Sequence, residues 1–205
     1  MRYTKGYVRD IDETYKIHIA QGNKEELEKL VDHNVIVHGE SVREYFTTIL
    51  NDHPQRDSCF WLYVTDKRDN NLVSSIVLLP LKWNIGGIEV PLCEMGFVGT
   101  LEEHRGKGLI GKLNELYEAI MEERGYVISV IRGIPYYYRK LGYEFVFQLN
   151  YRVYLPPTKI PKLDTAEPNT AEKNSEEQSA VEVFDLRKAT ERDIGVIKNK
   201  YREKY

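Results

Sequence analysis

Hydrophobic and polar residues follow two rhythms along the chain. Between positions 106 and 123 the apolar side chains fall at 109, 110, 113, 116, 117, 120 and 121. That stripe predicts an amphipathic helix about 27 Å long at roughly 1.5 Å per residue, and Gly125 follows as its C-cap. Upstream the rhythm is that of strands. Residues 59–65 (CFWLYVT), 72–83 and 88–100 are apolar stretches separated by the polar turn DKRDNN and by Gly86-Gly87. The glycine pair has hairpin chemistry, so three consecutive antiparallel strands are predicted. Downstream, residues 126–131 read as a strand, Pro135 opens a short helix, and 143–154 read as a last strand. Before residue 58 the segments 24–31 and 41–50 look helical.

Residues 158–181 break both rhythms. Rich in Glu, Asn, Ser and Pro, with almost no large apolar side chains, they cannot bury enough surface to offset the entropy of ordering and are expected to be a mobile acidic linker. They divide a body at 1–157 from a tail at 182–205. The tail reads as a short strand and a helix capped by Thr190, with Asp193 three residues on and Ile194, Ile197 and Tyr201 along one face. Such a face needs cover from the body, from the rest of a second domain, or from a neighbouring subunit, so a homo-oligomer is compatible with the sequence.

Composition narrows the function classes. The 205 residues are 41% apolar and 30% charged with a mean hydropathy of −0.51, the profile of a globular protein. No apolar run approaches the roughly 20 residues of a membrane span, so no membrane partner is expected. The 29 basic and 32 acidic residues leave a net charge of −3, which lacks the surplus that drives binding to a phosphate backbone, and nucleic acid is not an expected partner. The opening MRYTKGYVRD has no apolar core followed by a cleavage site, making the cytoplasm the expected compartment. Cys59 and Cys93 lie in apolar stretches and read as buried thiols, and His18, His33, His38 and His53 are scattered. Neither set has metal-ligand spacing, so no metal is expected.

The densest chemical signal is the run His104-Arg105-Gly106-Lys107-Gly108-Leu109-Ile110-Gly111-Lys112 at the head of the long helix. Free backbone N–H groups and the helix dipole favour a phosphate there. Two nucleotide motifs fit formally. The G-x-x-x-x-G-K reading needs Ser or Thr after the lysine, and Leu113 stands there. The G-x-G-x-x-G reading needs a strand directly before the glycines and an acid about 20 residues on; Leu101 to Arg105 intervene, and Ile131-Arg132-Gly133 supplies no acid. Glycines serving only a tight turn is the remaining structural reading.

Arg105-Gly106-Lys107-Gly108 resembles the R-x-x-G-x-G/A signature of the GNAT superfamily of acyl-CoA N-acyltransferases, with one departure: Ile110 occupies the second small-residue site and Gly111 follows it. Downstream, Pro135-Tyr136-Tyr137-Tyr138-Arg139-Lys140-Leu141-Gly142-Tyr143 resembles the family's F-Y-x-x-x-G-F segment. The two stand in family order, and the resemblance covers roughly 59–154, with 1–58 similar only in being helical. The tail resembles the start of a further such domain, as in tandem-domain members.

The resemblance implies an α+β fold, a splayed mixed β-sheet flanked by helices, with acetyl-CoA as co-substrate in the gap. It implies that backbone amides of Arg105, Gly106, Lys107, Gly108, Leu109 and Ile110 cradle the pyrophosphate, and that Val98, Gly99 and Thr100 pair with the pantetheine arm. Tyr138, four residues before Gly142, matches the tyrosine that protonates the leaving sulfur, with aromatic packing as the alternative. Tyr136 and Tyr137 read as packing or substrate-wall residues. Strand alternation puts Ile88, Val90, Leu92, Glu94, Gly96 and Val98 on one face, so a lone carboxylate interrupts an apolar row. Glu94, eleven residues before Arg105, matches the general-base glutamate of histone-type members; a carboxylate bonded at the sheet edge is the alternative. His104 reads as a solvated turn residue. The implied activity is acetyl transfer to a primary amine by direct attack, and the rival is a non-catalytic acyl-CoA-binding regulatory module. No motif separates a protein lysine from a polyamine, an aminoglycoside or an amino acid as acceptor.

Overall fold

The computed structural model describes residues 2–134, 136–146, 190–196 and 199. The chain forms two units, Met1–Arg152 and Val153–Tyr205. Among the described residues the first unit holds a six-stranded sheet whose spatial order follows the sequence: β1 (Val8–Asp10), β2 (Tyr15–Ile19), β3 (Phe60–Asp66), β4 (Leu72–Ile85), β5 (Ile88–Thr100) and β6 (Ile128–Val130). Neighbours from β1 to β5 are antiparallel, and β6 joins β5 in parallel. A parallel neighbour needs a crossover, which α3 (Leu109–Arg124) provides. Between β2 and β3 lie α1 (Lys24–His38) and α2 (Arg43–Asp52). This is the mixed α+β sheet flanked by helices that the sequence led us to expect.

The stripe on α3 is buried as its spacing requires. Leu109, Leu113, Leu116, Tyr117 and Ile120 pack on Ile17, Leu62, Ile76 and Leu78 of the sheet. At roughly 1.5–3 kcal/mol for each large apolar side chain buried, these contacts far outweigh the ~1 kcal/mol that Gly111 costs inside the helix. Alternation along β4 sends Val77 and Leu79 the other way, into a second cluster with Leu30 of α1, Phe46 of α2 and Trp61. Gly125 closes α3 in the left-handed region at φ 74°, its N–H reaching the Glu122 carbonyl. In the β4–β5 turn both Gly86 (φ 57°) and Gly87 (φ 87°) have the positive φ of a two-residue hairpin loop.

Several boundaries differ from expectation. The segment before residue 58 carries β1 and β2 as well as helices, because YKIHI alternates buried and half-exposed positions at Tyr15–Ile19. α3 starts at Leu109 rather than 106, since Gly106 and Gly108 hold positive φ values of 75° and 74° that no helix accepts. β6 is confined to Ile128–Val130. The short helix is a 3-10 turn over Tyr137–Leu141; Pro135 and residues 147–154 of the expected last strand lie outside the described residues, as do 158–181.

A bulge changes the faces of β5. The register moves between Ser75 (opposite Gly99) and Val77 (opposite Gly96), so the alternation expected to carry Val98 alongside Glu94 and Gly96 breaks there. Phe97, at φ 48°, joins the cluster on the α1–α2 side, while Val98 joins the α3-side core with Cys93 and Met95. Ring contacts to Phe46 at 4.5 Å and Trp61 at 6.0 Å hold Phe97 in this unfavourable backbone region.

In the second unit the described residues include a 3-10 turn over Glu191–Asp193 with the expected cap: the Thr190 N–H and hydroxyl both reach Asp193 Oδ2, at 2.7 and 3.0 Å. Ile197 and Tyr201 lie outside the described residues.

Candidate active site

The ladder from β5 to β6 is short. It joins Leu92 to Ile128, Cys93 to Ser129 and Glu94 to Val130 and extends no further, so Met95 to Thr100 lie past its last rung. The widening gap leads into a cleft of about 630 Å³ lined by β5, the loop ahead of α3 and the tyrosine turn. All nine residues assigned to the cofactor from the sequence line it: Val98, Gly99, Thr100, Arg105, Gly106, Lys107, Gly108, Leu109 and Ile110. So does Tyr138.

Each wall has a local cause. A 3-10 turn over Glu102–His104 links β5 to the loop, its exit fixed by the Arg105 N–H on the Glu102 carbonyl at 3.2 Å. Gly108 is the N-cap of α3 and has no side chain to cap it, so the first-turn N–H groups are not taken by a cap. A Cβ placed on Gly106, Gly108 or Gly111 would have no neighbour within 4 Å. The head of α3 therefore faces open space beside unclaimed donors, which suits a phosphate group. On β5, Ser74 Oγ donates to the Gly99 carbonyl at 3.1 Å and lies 2.8 Å from Thr100 Oγ1, pinning the strand end. The Arg105 side chain folds back onto the Thr100 carbonyl at 3.3 Å.

Tyr138 is fixed from two sides. The Gly133 backbone lies against its ring: a Cβ there would fall 2.5 Å from Cδ2 and nearer still to Cε2. Tyr143 meets the ring edge-on at 6.1 Å, and its hydroxyl continues a half-buried chain through Ser129 Oγ (2.6 Å) and Tyr117 Oη (2.7 Å) to Cys93 Sγ (3.2 Å). This chain ties the tyrosine turn to β6, α3 and β5. Burial raises the Tyr138 hydroxyl above the ordinary tyrosine range, so it keeps its proton at neutral pH. Burial also pushes the Cys93 and Cys59 thiols up to about 11, in keeping with inert packed cysteines. Tyr137 lines the cleft under the Lys140 ammonium, 3.8 Å from its ring centroid, whereas Tyr136 is exposed.

A second cleft of about 360 Å³ opens on the α1–α2 side between His38, Tyr45, Phe97, Arg132 and their neighbours. It shares Val98 and Tyr138 with the first. Glu94 lines neither. It sits at the last rung between β5 and β6, with its carboxylate 3.9 Å from the Arg132 guanidinium. The sequence assigns no site role to His38, Tyr45, Phe97, Arg132 or Gly133. Only the positive-φ bulge and the sheet split bring them together, and neither has a residue signature. Among the described residues no three His, Cys, Asp or Glu side chains gather as metal ligands, and no helix is long and apolar enough to cross a membrane.

No curated protein matches the sequence. Among solved structures, glucosamine-6-phosphate N-acetyltransferase from Arabidopsis thaliana aligns over 69% of this chain and 99% of its own, at 16% identity and a TM-score of 0.52. A GNAT family N-acetyltransferase from Escherichia coli in complex with CoA aligns over 66% and 72%, at 17% identity and 0.53. A probable N-acyltransferase from Enterococcus faecalis aligns over 62% of this chain at 20% identity and 0.52; the match spans 31% of that longer protein. These likenesses show a shared fold. Residues 18–146, more than half of the chain, match the family profile described as acetyltransferase (GNAT) domain. The chain belongs to the GNAT acetyltransferase family.

Proposed function

We propose that the protein is an N-acetyltransferase that moves an acetyl group from acetyl-CoA to a primary amine by direct attack. The observation that carries this reading is the meeting of two clefts at Val98 and Tyr138. One has the glycine loop at its end and suits the cofactor; the other is a separate approach for an acceptor. Acetyl-CoA supplies a thioester at which the N–C bond forms as the C–S bond breaks. Amides of the 105–110 loop bind its phosphates and the edge of Val98 to Thr100 aligns its arm, which places the reacting carbonyl where the clefts join. The Val98 N–H is the donor for charge developing on the carbonyl oxygen. Tyr138, still protonated at neutral pH, donates to the departing thiolate. Glu94, just beyond the lining and beside Arg132, takes the amine proton through water rather than directly. Two of the similar structures are named for acceptors that are an amino-sugar phosphate and an aminoglycoside, and amine-bearing sugars are therefore the first acceptors to try.

The test is thiol release from acetyl-CoA across a panel of amino sugars, aminoglycosides, polyamines, amino acids and lysine peptides. One class should accelerate release well above buffer hydrolysis. Tight CoA binding with no acceleration by any amine would leave the regulatory binding module as the better description.

A further inference from the structure

Tyr15 belongs to β2, an element remote in sequence from the cofactor loop, and is 5% exposed. Its hydroxyl touches two loop residues at once: His104 Nδ1 at 3.0 Å and Lys107 Nζ at 3.0 Å. The Lys107 ammonium also lies 5.7 Å from the Tyr15 ring centroid, and the His104 ring meets that ring edge-on at 5.9 Å. His104 and Lys107 both line the large cleft. Across the sheet Tyr15 pairs with Asp66, whose carboxylate is committed to Arg68 at 2.6 Å.

Lys107 sets one half of this relay: an ammonium only donates, so Lys107 donates to the phenolic oxygen. That oxygen keeps a second lone pair, so the His104 contact fits either direction by distance alone. The direction in which the phenolic hydrogen also finds an acceptor has Nδ1 of His104 accepting it, with the imidazole proton on Nε2. We infer that Tyr15 is a positioning residue that holds His104 as an Nε2–H donor and Lys107 as a fixed cation toward a phosphate group of the cofactor. The inference rests on the cofactor site proposed above. Lysine loses substantial rotamer freedom when it is fixed, and Tyr15 imposes that loss before the ligand arrives, leaving more of the phosphate contact as affinity. His104, read from the sequence as a solvated turn residue, thereby becomes part of the binding surface.

Tyr15→Phe keeps the buried ring and removes only the hydroxyl. In the full chain, titrated with CoA and, by competition, with pantetheine, which has the arm but no phosphate, the variant should lose about tenfold in CoA affinity while pantetheine stays within about twofold. Nitrogen-15 spectra of the parent should show His104 protonated at Nε2 and bare at Nδ1, and the variant should show a mixture of tautomers. His104→Gln, whose amide N–H reaches the Nε2 position, should keep more CoA affinity than His104→Asn, whose amide reaches only the Nδ1 position. CoA binding unchanged in Tyr15→Phe, a parallel loss for CoA and pantetheine, or a parent His104 protonated at Nδ1 would each overturn the inference and leave the cofactor site standing. A parent chain that does not bind CoA at all would overturn both.

Discussion

Replacing Gly133 with alanine tests whether Tyr138 acts in chemistry, without touching the tyrosine itself. Carbon atoms in ordinary contact lie about 3.5–4 Å apart, whereas the added Cβ would lie 2.5 Å from Cδ2 and closer to Cε2. The ring must therefore retreat by more than about 1 Å. A displacement of that size at a reacting group costs on the order of 100-fold in rate, and loss of general-acid help in Tyr138→Phe is worth roughly 10- to 1,000-fold. Steady-state turnover should fall by about those amounts in both variants, with CoA affinity nearly unchanged, since the phosphate loop lies elsewhere in the cleft. The informative measurement is the double mutant. If Gly133→Ala acts only by moving the tyrosine hydroxyl, then adding it to Tyr138→Phe should lower turnover little further. Full multiplication of the two losses, or normal turnover in Gly133→Ala with the fold intact, would refute the reasoning and return Tyr138 to a packing role.

Gly108→Glu should abolish CoA binding by calorimetry, because its side chain enters the open space at the head of α3 and sets a carboxylate against the phosphates; undiminished affinity in a folded variant would move the phosphate site elsewhere. Ser129→Ala removes the middle of the Tyr143–Ser129–Tyr117 chain. With two hydroxyls losing a partner, urea denaturation should show a loss of about 1–3 kcal/mol, and no loss would mean that the chain repairs itself. His33 is 3% exposed; burial lowers it from 6.5 to about 4, against smaller opposing effects from the Gly99 and Leu72 backbone. The unfolded chain then binds this proton near pH 6.5 and the folded chain only near 4, so stability falls as pH drops through that window, by about 3 kcal/mol. Denaturation of His33→Leu at pH 7 and pH 4 should show a correspondingly shallower fall; equal falls in variant and parent would contradict it.

What the sequence made legible was carried by periodicity and by glycine. The α3 stripe, the Gly86-Gly87 hairpin and the glycine loop all follow from local spacing, and the end of β5, the glycine loop and the head of α3 line the cofactor cleft. β2 signals itself only through five alternating residues, too few to outweigh the helical look of its surroundings, and with it went Tyr15. The bulge at Phe97 has no local signature. A phenylalanine at positive φ is held there by Phe46 and Trp61, from distant parts of the chain, so the simple alternation that set Val98 beside Glu94 could not anticipate it. Gly133 likewise looks like any loop glycine until the Tyr138 ring is laid against it. The Glu94–Arg132 contact depends on where β6 diverges, a property of the sheet rather than of either residue.

The proposed activity requires the cofactor to lie in the sheet split with its phosphates at the head of α3. Amide hydrogen exchange with and without CoA measures this most directly, because the N–H groups of the loop and of the first turn of α3 have no helical acceptor and exchange fast when unbound. CoA should slow exchange at residues 98–100 and 106–110, while the far end of the first unit, around Lys5, Asp57 and Tyr126, stays unchanged. Protection confined to any other region, or none at saturating CoA, would contradict this placement of the cofactor.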